Sequence, residues 1–271
     1  MNQIPARADT PMLPVAATLC WREWVRFLRQ RSRVTAALGT PLLMWVFIGA
    51  GLDGSFRAPA AMAAGAASRG GYLGYFFPGA ILLVVLFTAI FSTISIIEDR
   101  SAGFLQAVLA APVSRGSIVL GKILGGTLLG VLQGALFLLL APLAGVPLTV
   151  SGAAAALVAM FFVAFALTGL GFMIAWRMES IAGFHGVMNL LLMPMWILSG
   201  AVFPPAGARS WLAWVVHANP LSYGLGALQH ALGVGAAAAA PIGVCAGVSV
   251  AFAGIMFLAA TAVARPTSER G

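Results

Sequence analysis

Charge is what this sequence has least of. Only 8% of its 271 residues are Asp, Glu, Lys or Arg while 61% are hydrophobic, against roughly a quarter charged in ordinary soluble domains. Fifteen basic and seven acidic side chains could not cover the surface of a water-soluble fold of this length, which makes lipid the main solvent. Disorder is excluded as well, because so much apolar surface cannot stay hydrated. Cysteine is scarce: Cys20 lies in a basic segment and Cys245 in an apolar run, so neither a disulfide framework nor a metal site is expected. The histidines, His185, His217 and His230, are too dispersed for an HExxH zinc helix, and neither GxSxG nor paired aspartates within an apolar run occur. Those absences argue against a membrane enzyme. The net charge of +8 does not point to nucleic acid, since the basic residues border long apolar runs, where anionic lipid is the nearer partner.

What is present is a series of uncharged stretches. A hydrocarbon core of about 30 Å takes about 20 helical residues to cross. Six spans of that size are predicted: Val34 to Leu52, Tyr75 to Ile97, two within Ile123 to Trp176, Gly186 to Phe203, and one within Ala240 to Ala264. The run Ala141-Pro142-Leu143-Ala144-Gly145-Val146-Pro147 supplies the turn of a tight hairpin between the third and fourth. An all-α polytopic membrane protein follows, read as one transmembrane domain over 1–271, with a polar leader (1–33), a six-helix region (34–264) and a short tail (265–271). The leader and first apolar run are both too long for a cleaved signal peptide.

Lys and Arg are retained on the cytoplasmic side. Twelve fall in the leader, the connections after spans two and four, and the tail, against Arg57, Arg69 and Arg209 on the other side. Both termini are therefore expected in the cytoplasm, with Lys122 counted in the connection after span two. Within the leader, Arg22, Arg26, Arg29 and Arg33 recur at helical spacing, with Trp21, Trp24, Val25, Phe27 and Leu28 on the opposite arc. A helix in the membrane plane is predicted, its arginines toward phosphate and cytosol.

No ionisable residue is expected inside the bilayer: Glu98, Asp99 and Glu179 are placed at span ends and Asp53 just beyond the first span. Gly116 to Ile123 matches GxxxxGK but ends in Ile where Ser or Thr must hold magnesium, and it runs into a span. The chain thus carries no engine of its own. Gly121 and Gly125, Gly126, Gly130 and Gly134, and Gly243 and Gly247 instead place small residues on helical ridges, which lets helices approach closely in lipid.

Between spans two and three, Glu98-Asp99-Arg100 is followed by Ser101 to Ala111, then Pro112 and Arg115. Phe104, Leu105, Val108 and Leu109 recur at helical spacing, so a short amphipathic helix is expected with an apolar face free either to dock in another protein's groove or to lie flat on lipid. This run, with Gly103 five residues after Glu98 and Leu109-Ala110-Ala111-Pro112-Val113-Ser114-Arg115 closing it, resembles the ABC-2 type permease family. Leu198-Ser199-Gly200-Ala201-Val202-Phe203-Pro204-Pro205 and Asn219-Pro220-Leu221-Ser222-Tyr223 fit the same family.

The resemblance implies a permease that pairs with a second permease chain and binds two separate ABC ATPase subunits, which hold the ATP and Mg. It implies a coupling helix carrying Glu98, Asp99, Arg100, Gly103, Phe104, Leu105, Val108, Leu109, Pro112 and Arg115. The leader helix, with Trp21, Arg22, Trp24, Arg26, Phe27, Leu28, Arg29 and Arg33, becomes the connecting helix. External re-entrant helices are implied around Pro204, Pro205, Trp211, Trp214, Asn219, Pro220 and Tyr223. The likeness is nearest to the drug-resistance and nodulation-factor exporters of bacterial inner membranes, with polysaccharide and lipopolysaccharide exporters as relatives. An amphipathic, lipid-like or drug-like cargo is expected, with Phe87, Phe91 and Phe162 able to line a route or simply fill the core. An ion-coupled secondary transporter and a lipid-modifying enzyme are the rival readings.

Overall fold

The computed structural model describes residues 12–54, 67–111, 113–204, 210–234 and 240–265. Among these the chain forms ten α-helices: α1 (Met12–Arg29), α2 (Arg31–Asp53), α3 (Ala67–Ser101), α4 (Phe104–Ala110), α5 (Arg115–Leu138), α6 (Val150–Ala175), α7 (Ile181–Trp196), α8 (Ser210–Ala218), α9 (Pro220–Leu232) and α10 (Ile242–Ala264). Six of them, α2, α3, α5, α6, α7 and α10, are long and apolar enough to cross a membrane.

The boundaries are written in local chemistry. Ser114, Thr149 and Ser180 each cap the next helix by accepting a bond from the backbone N–H three residues on. Asn219 caps α9 the same way through the Leu221 N–H, with Pro220 at the first helical position. The predicted hairpin turn is a 3-10 turn, Ala141–Ala144, closed by Gly145 at φ 68°, a left-handed conformation that costs glycine little. Pro204 leaves the fifth span; Pro205 and Arg209 lie outside the described residues. Beyond them come α8 and α9, the two short helices expected in place of a seventh crossing.

At the centre stands α3, 89% of whose most apolar stretch is buried. Its main neighbours are α2, α5, α6 and α7, while α9 and α10 pack mostly on α6 and on each other. The glycines of α5 seat this bundle. A Cβ on Gly126 would lie 2.5 Å from Ser92 Oγ and 2.7 Å from Thr168 Cγ2, and one on Gly134 would lie 2.4 Å from Met160 Sδ. Gly121 and Gly125 face α1 instead, where a Cβ would meet the Ala16 carbonyl oxygen at 2.8 Å and Glu23 Cβ at 2.9 Å. Gly243 and Gly247 of α10 face open space; that ridge packs against nothing within the described chain. The lookalike phosphate loop, Gly116 to Ile123, is uninterrupted helix within α5.

One end of the bundle holds most of the charge, and the other is built from aromatic hydroxyls and opened backbone. At that other end a π-helical turn, Ile197–Ala201, ends α7, with Gly200 at φ 91°. The carbonyls it releases are taken up: Tyr75 Oη donates to Gly200 O and Tyr72 Oη to Val202 O, both at 2.6 Å. Trp196 Nε1 donates to Gly79 O at 2.9 Å, and Asn219 Nδ2 to Met195 O at 2.6 Å.

Candidate functional site

Two expectations from the sequence are corrected at the charged end. The third span begins at Arg115, well before Ile123, which places Lys122 two turns inside α5 and only 6% exposed. It belongs to the bundle rather than to a connection, so an ionisable group does sit within a span. The physical reason is compensation. Lys122 Nζ donates to Asp99 of α3 and to Glu23 of α1, and reaches Ser95 Oγ at 3.3 Å. Asp99 is 1% exposed and Glu23 4%, so three buried charges share one pocket, as burial of ions requires.

The second correction concerns α1. It already runs from Met12, well before the Trp21–Arg33 stretch in which the sequence pattern lies, and its arginines turn toward carboxylates instead of toward phosphate. Arg22 grips Asp99 with both ends of its guanidinium, at 2.7 and 3.0 Å, the fork geometry that suits a carboxylate. That hydrogen bond raises the Arg22 guanidinium above its ordinary value. Arg26 donates to Asp99 and to Glu98, each at 2.6 Å, and Arg33, at the start of α2, donates to Glu98. Phe27 is buried with Ala16, Leu19 and Glu23 on the inner side, while Trp21 and Leu28 are exposed. Arg29 and Arg31 are exposed beside them. Of the four aligned arginines, three are thus drawn inward, because two acids at the end of α3 offer a stronger partner than water.

Two further basic residues close helix ends. Arg100 donates to the carbonyls of Trp176 and Met178 at the C-terminus of α6, and Arg115 to Ala264 O at the end of α10, at 2.8 Å. Cations at these ends also suit the helix dipole.

Beside this cluster sits α4. Gly103, at φ 75°, turns the chain out of α3 and starts the seven-residue helix. Leu105 is buried and Phe104, Val108 and Leu109 are half-buried, whereas Gly103, Gln106, Ala107 and Ala110 are exposed. The apolar face therefore packs on the protein itself, and the face free for a partner is small and uncharged, the reverse of the expected presentation. Pro112 lies outside the described residues. Phe104 carries the contact that joins α4 to the cluster: its ring lies under the Arg22 guanidinium, 3.8 Å from the centroid, a cation–π geometry.

At the other end, Trp211 and Trp214 of α8 are 64% and 77% exposed, and Tyr223 Oη donates to His217 O at 2.9 Å. Phe87 and Phe91 stack at 6.0 Å on the half-exposed side of α3, with His185 of α7 against Phe91. Phe162 borders α9 and α10 instead.

Arg22 of α1 thus ties the short helix α4 to Asp99 at the end of α3, and Asp99 in turn binds Lys122 of α5. The family described as "ABC-2 type transporter" matches residues 15–232. The chain belongs to the ABC-2 type transporter family. Its ten described helices and six spans make it an all-α, multi-pass permease of that family. A protein of Cyanophora paradoxa described as "Putative transport permease ycf38" is 28% identical over 157 residues, covering 56% of this chain. The chain spans about half (53%) of that relative's length.

Glu23 is the member of the ABC-2 permease's ionic cluster that the helical pattern of arginines passes over. One signal pointed to it: with seven acids in the whole sequence, a glutamate inside a basic helix is conspicuous.

Proposed function

We propose that this chain is the transmembrane subunit of an ATP-driven exporter, worked by two separate ABC ATPase subunits that carry ATP and Mg, and paired with a second permease chain. The observation that carries this reading is the bridge formed by Arg22, which stacks on Phe104 of α4 and at the same time holds Asp99 of α3. A partner pushing on the exposed Gly103, Gln106, Ala107 and Ala110 face would load α1, α3 and α5 together. The charged end is then cytoplasmic, with both termini, and α8 and α9 are the external helices. The membrane is a bacterial-type inner membrane.

Apart from Phe87 and Phe91, α3 keeps its side chains enclosed from Tyr75 to Ile97, so those rings and His185 form the face it offers to a route. Stacked aromatic rings suit an amphipathic, lipid-like or drug-like cargo better than a small ion. Polysaccharide export is the alternative cargo class.

Ion-coupled transport has one observation in its favour, the ionisable cluster around Lys122. Yet each carboxylate there already has at least two cationic partners, and a coupling site needs an open seat. The test is reconstitution with the ATPase encoded beside it, following ATP hydrolysis and export of a fluorescent amphiphile. Arg22→Met should leave ATPase binding intact and abolish stimulated export. Export equal to wild type in that variant, or uphill pumping by the lone chain on an ion gradient, overturns the proposal.

A further inference from the structure

Between α6, α9 and α10, toward the end away from the ionic cluster, lies a cavity of about 370 Å³. We infer that it is a binding site for a single unbranched hydrocarbon chain, entering sideways from the bilayer. The inference needs only that the chain is embedded in lipid and does not rest on the ATPase partnership.

Four arguments carry it. First, the space is made by methyl side chains: Ala155, Ala159, Ala227, Ala231 and Ala246 stand where larger residues would fill it. Second, the two polar side chains in the wall each have a backbone partner beside it. His230 Nε2 is 2.9 Å from Ala240 O, and Ser249 Oγ donates to Cys245 O at 2.8 Å. Nothing in the wall calls for a polar guest, and apolar cavities of about 150 Å³ already stay dry and take up small hydrocarbons. Third, the walls cannot close up. A Cβ on Gly224 of α9 would lie 2.5 Å from Val163 Cγ2, and one on Gly152 of α6 would lie 2.6 Å from Ala231 O. The two helices are thus in contact on both sides of the gap and hold it open. Fourth, the depth is right. Ala155 to Phe162 lie five to twelve residues into α6, roughly 8–18 Å from its start at 1.5 Å per residue, well inside a hydrocarbon core about 30 Å thick. The volume falls at the small end of ligand sites, too little for two chains.

The hydrocarbon could belong to a resident membrane lipid or to a single-chain amphiphile in transit. The experiment uses the full chain in nanodiscs with two photoactivatable probes, a diazirine fatty acid and a diazirine phosphatidylglycerol, and maps the adducts by mass spectrometry. Adducts should concentrate on Val158, Phe162 and Val250, and fall at least tenfold in Ala246→Phe, whose ring would occupy the mouth. Stronger labelling by the fatty acid identifies a transit site, and stronger labelling by the phospholipid a resident one. Adducts spread evenly over the outer faces of α2 and α7, or labelling unchanged in Ala246→Phe, overturn the inference. So do cross-links between two copies at Ala246, which would mean that a second chain covers the opening. Ala159→Leu, a smaller filling from the opposite wall, supplies the same readout if the first variant does not fold.

Discussion

Neutralising Asp99 should be among the most damaging single changes this protein can suffer without loss of volume. The Asp99→Asn variant keeps the shape of the side chain but removes the negative charge that Arg22, Arg26 and Lys122 share. Since Asp99 is 1% exposed, water cannot replace it. Removing one partner of a buried pair typically costs about 3–5 kcal/mol, because the other charge is left uncompensated. For a chain of this size that corresponds to a fall in melting temperature on the order of 10 °C. Surface ion pairs, by contrast, contribute about 0–1 kcal/mol. The assay is thermal unfolding in a mild detergent of wild type, Asp99→Asn, Lys122→Met and the double variant. Removing both members relieves the stranded charge, so the double variant should lose less than the two single losses combined, a coupling of at least about 1 kcal/mol by double-mutant cycle. Single losses below about 1 kcal/mol, or strict additivity, would show that the cluster is solvated and that the lock described here does not exist.

Other changes separate packing from coupling. Gly126→Leu should abolish stable folding, since even a Cβ would meet Ser92 Oγ at 2.5 Å, while Gly247→Ala, facing open space, should melt within about 1 °C of wild type, changes without buried contacts being near neutral. Gly103→Val forces a β-branched residue into φ 75°, costing about 1–2 kcal/mol locally; in the reconstituted complex it should reduce export more than ATPase binding, measured by pull-down and flux. Tyr75→Phe removes the donor to Gly200 O and should lower stability by about 1–3 kcal/mol, because a buried carbonyl is left unpaired, readable as a melting shift that Tyr223→Phe, with its bond to His217 O at the surface, does not show.

Much of this architecture was legible before any coordinates. An apolar run sufficient for a span, a proline and glycine turn between Ala141 and Pro147, and the pair of short helices around Asn219 and Pro220 are signals carried by neighbouring residues. What stayed hidden involves partners distant in sequence. The arginine pattern of α1 established that one face is basic, but not that Glu98 and Asp99, some seventy residues on, would claim it. Lys122 read as a border residue because hydropathy scores it alone, whereas its burial depends on Glu23 and Asp99 together. Likewise the apolar positions of α4 marked a sticky face without saying that the protein's own bundle covers it. For the glycines the sequence pattern indicated close approach, and only the fold distinguished α5, whose ridges are occupied, from α10, whose ridge is not.

The enclosure of α3 also bears on how the protein is made. Its span has a mean hydropathy of 2.7, the highest of the six, so it can enter the bilayer unaided, yet the finished molecule leaves it almost no contact with lipid. Synthesis delivers it before α5, α6 and α7, so it must first sit among acyl chains and later surrender them as those helices arrive. Assembly around α3 is therefore a late exchange of lipid for protein, and an unfinished chain would present to its neighbours the most adhesive surface it possesses.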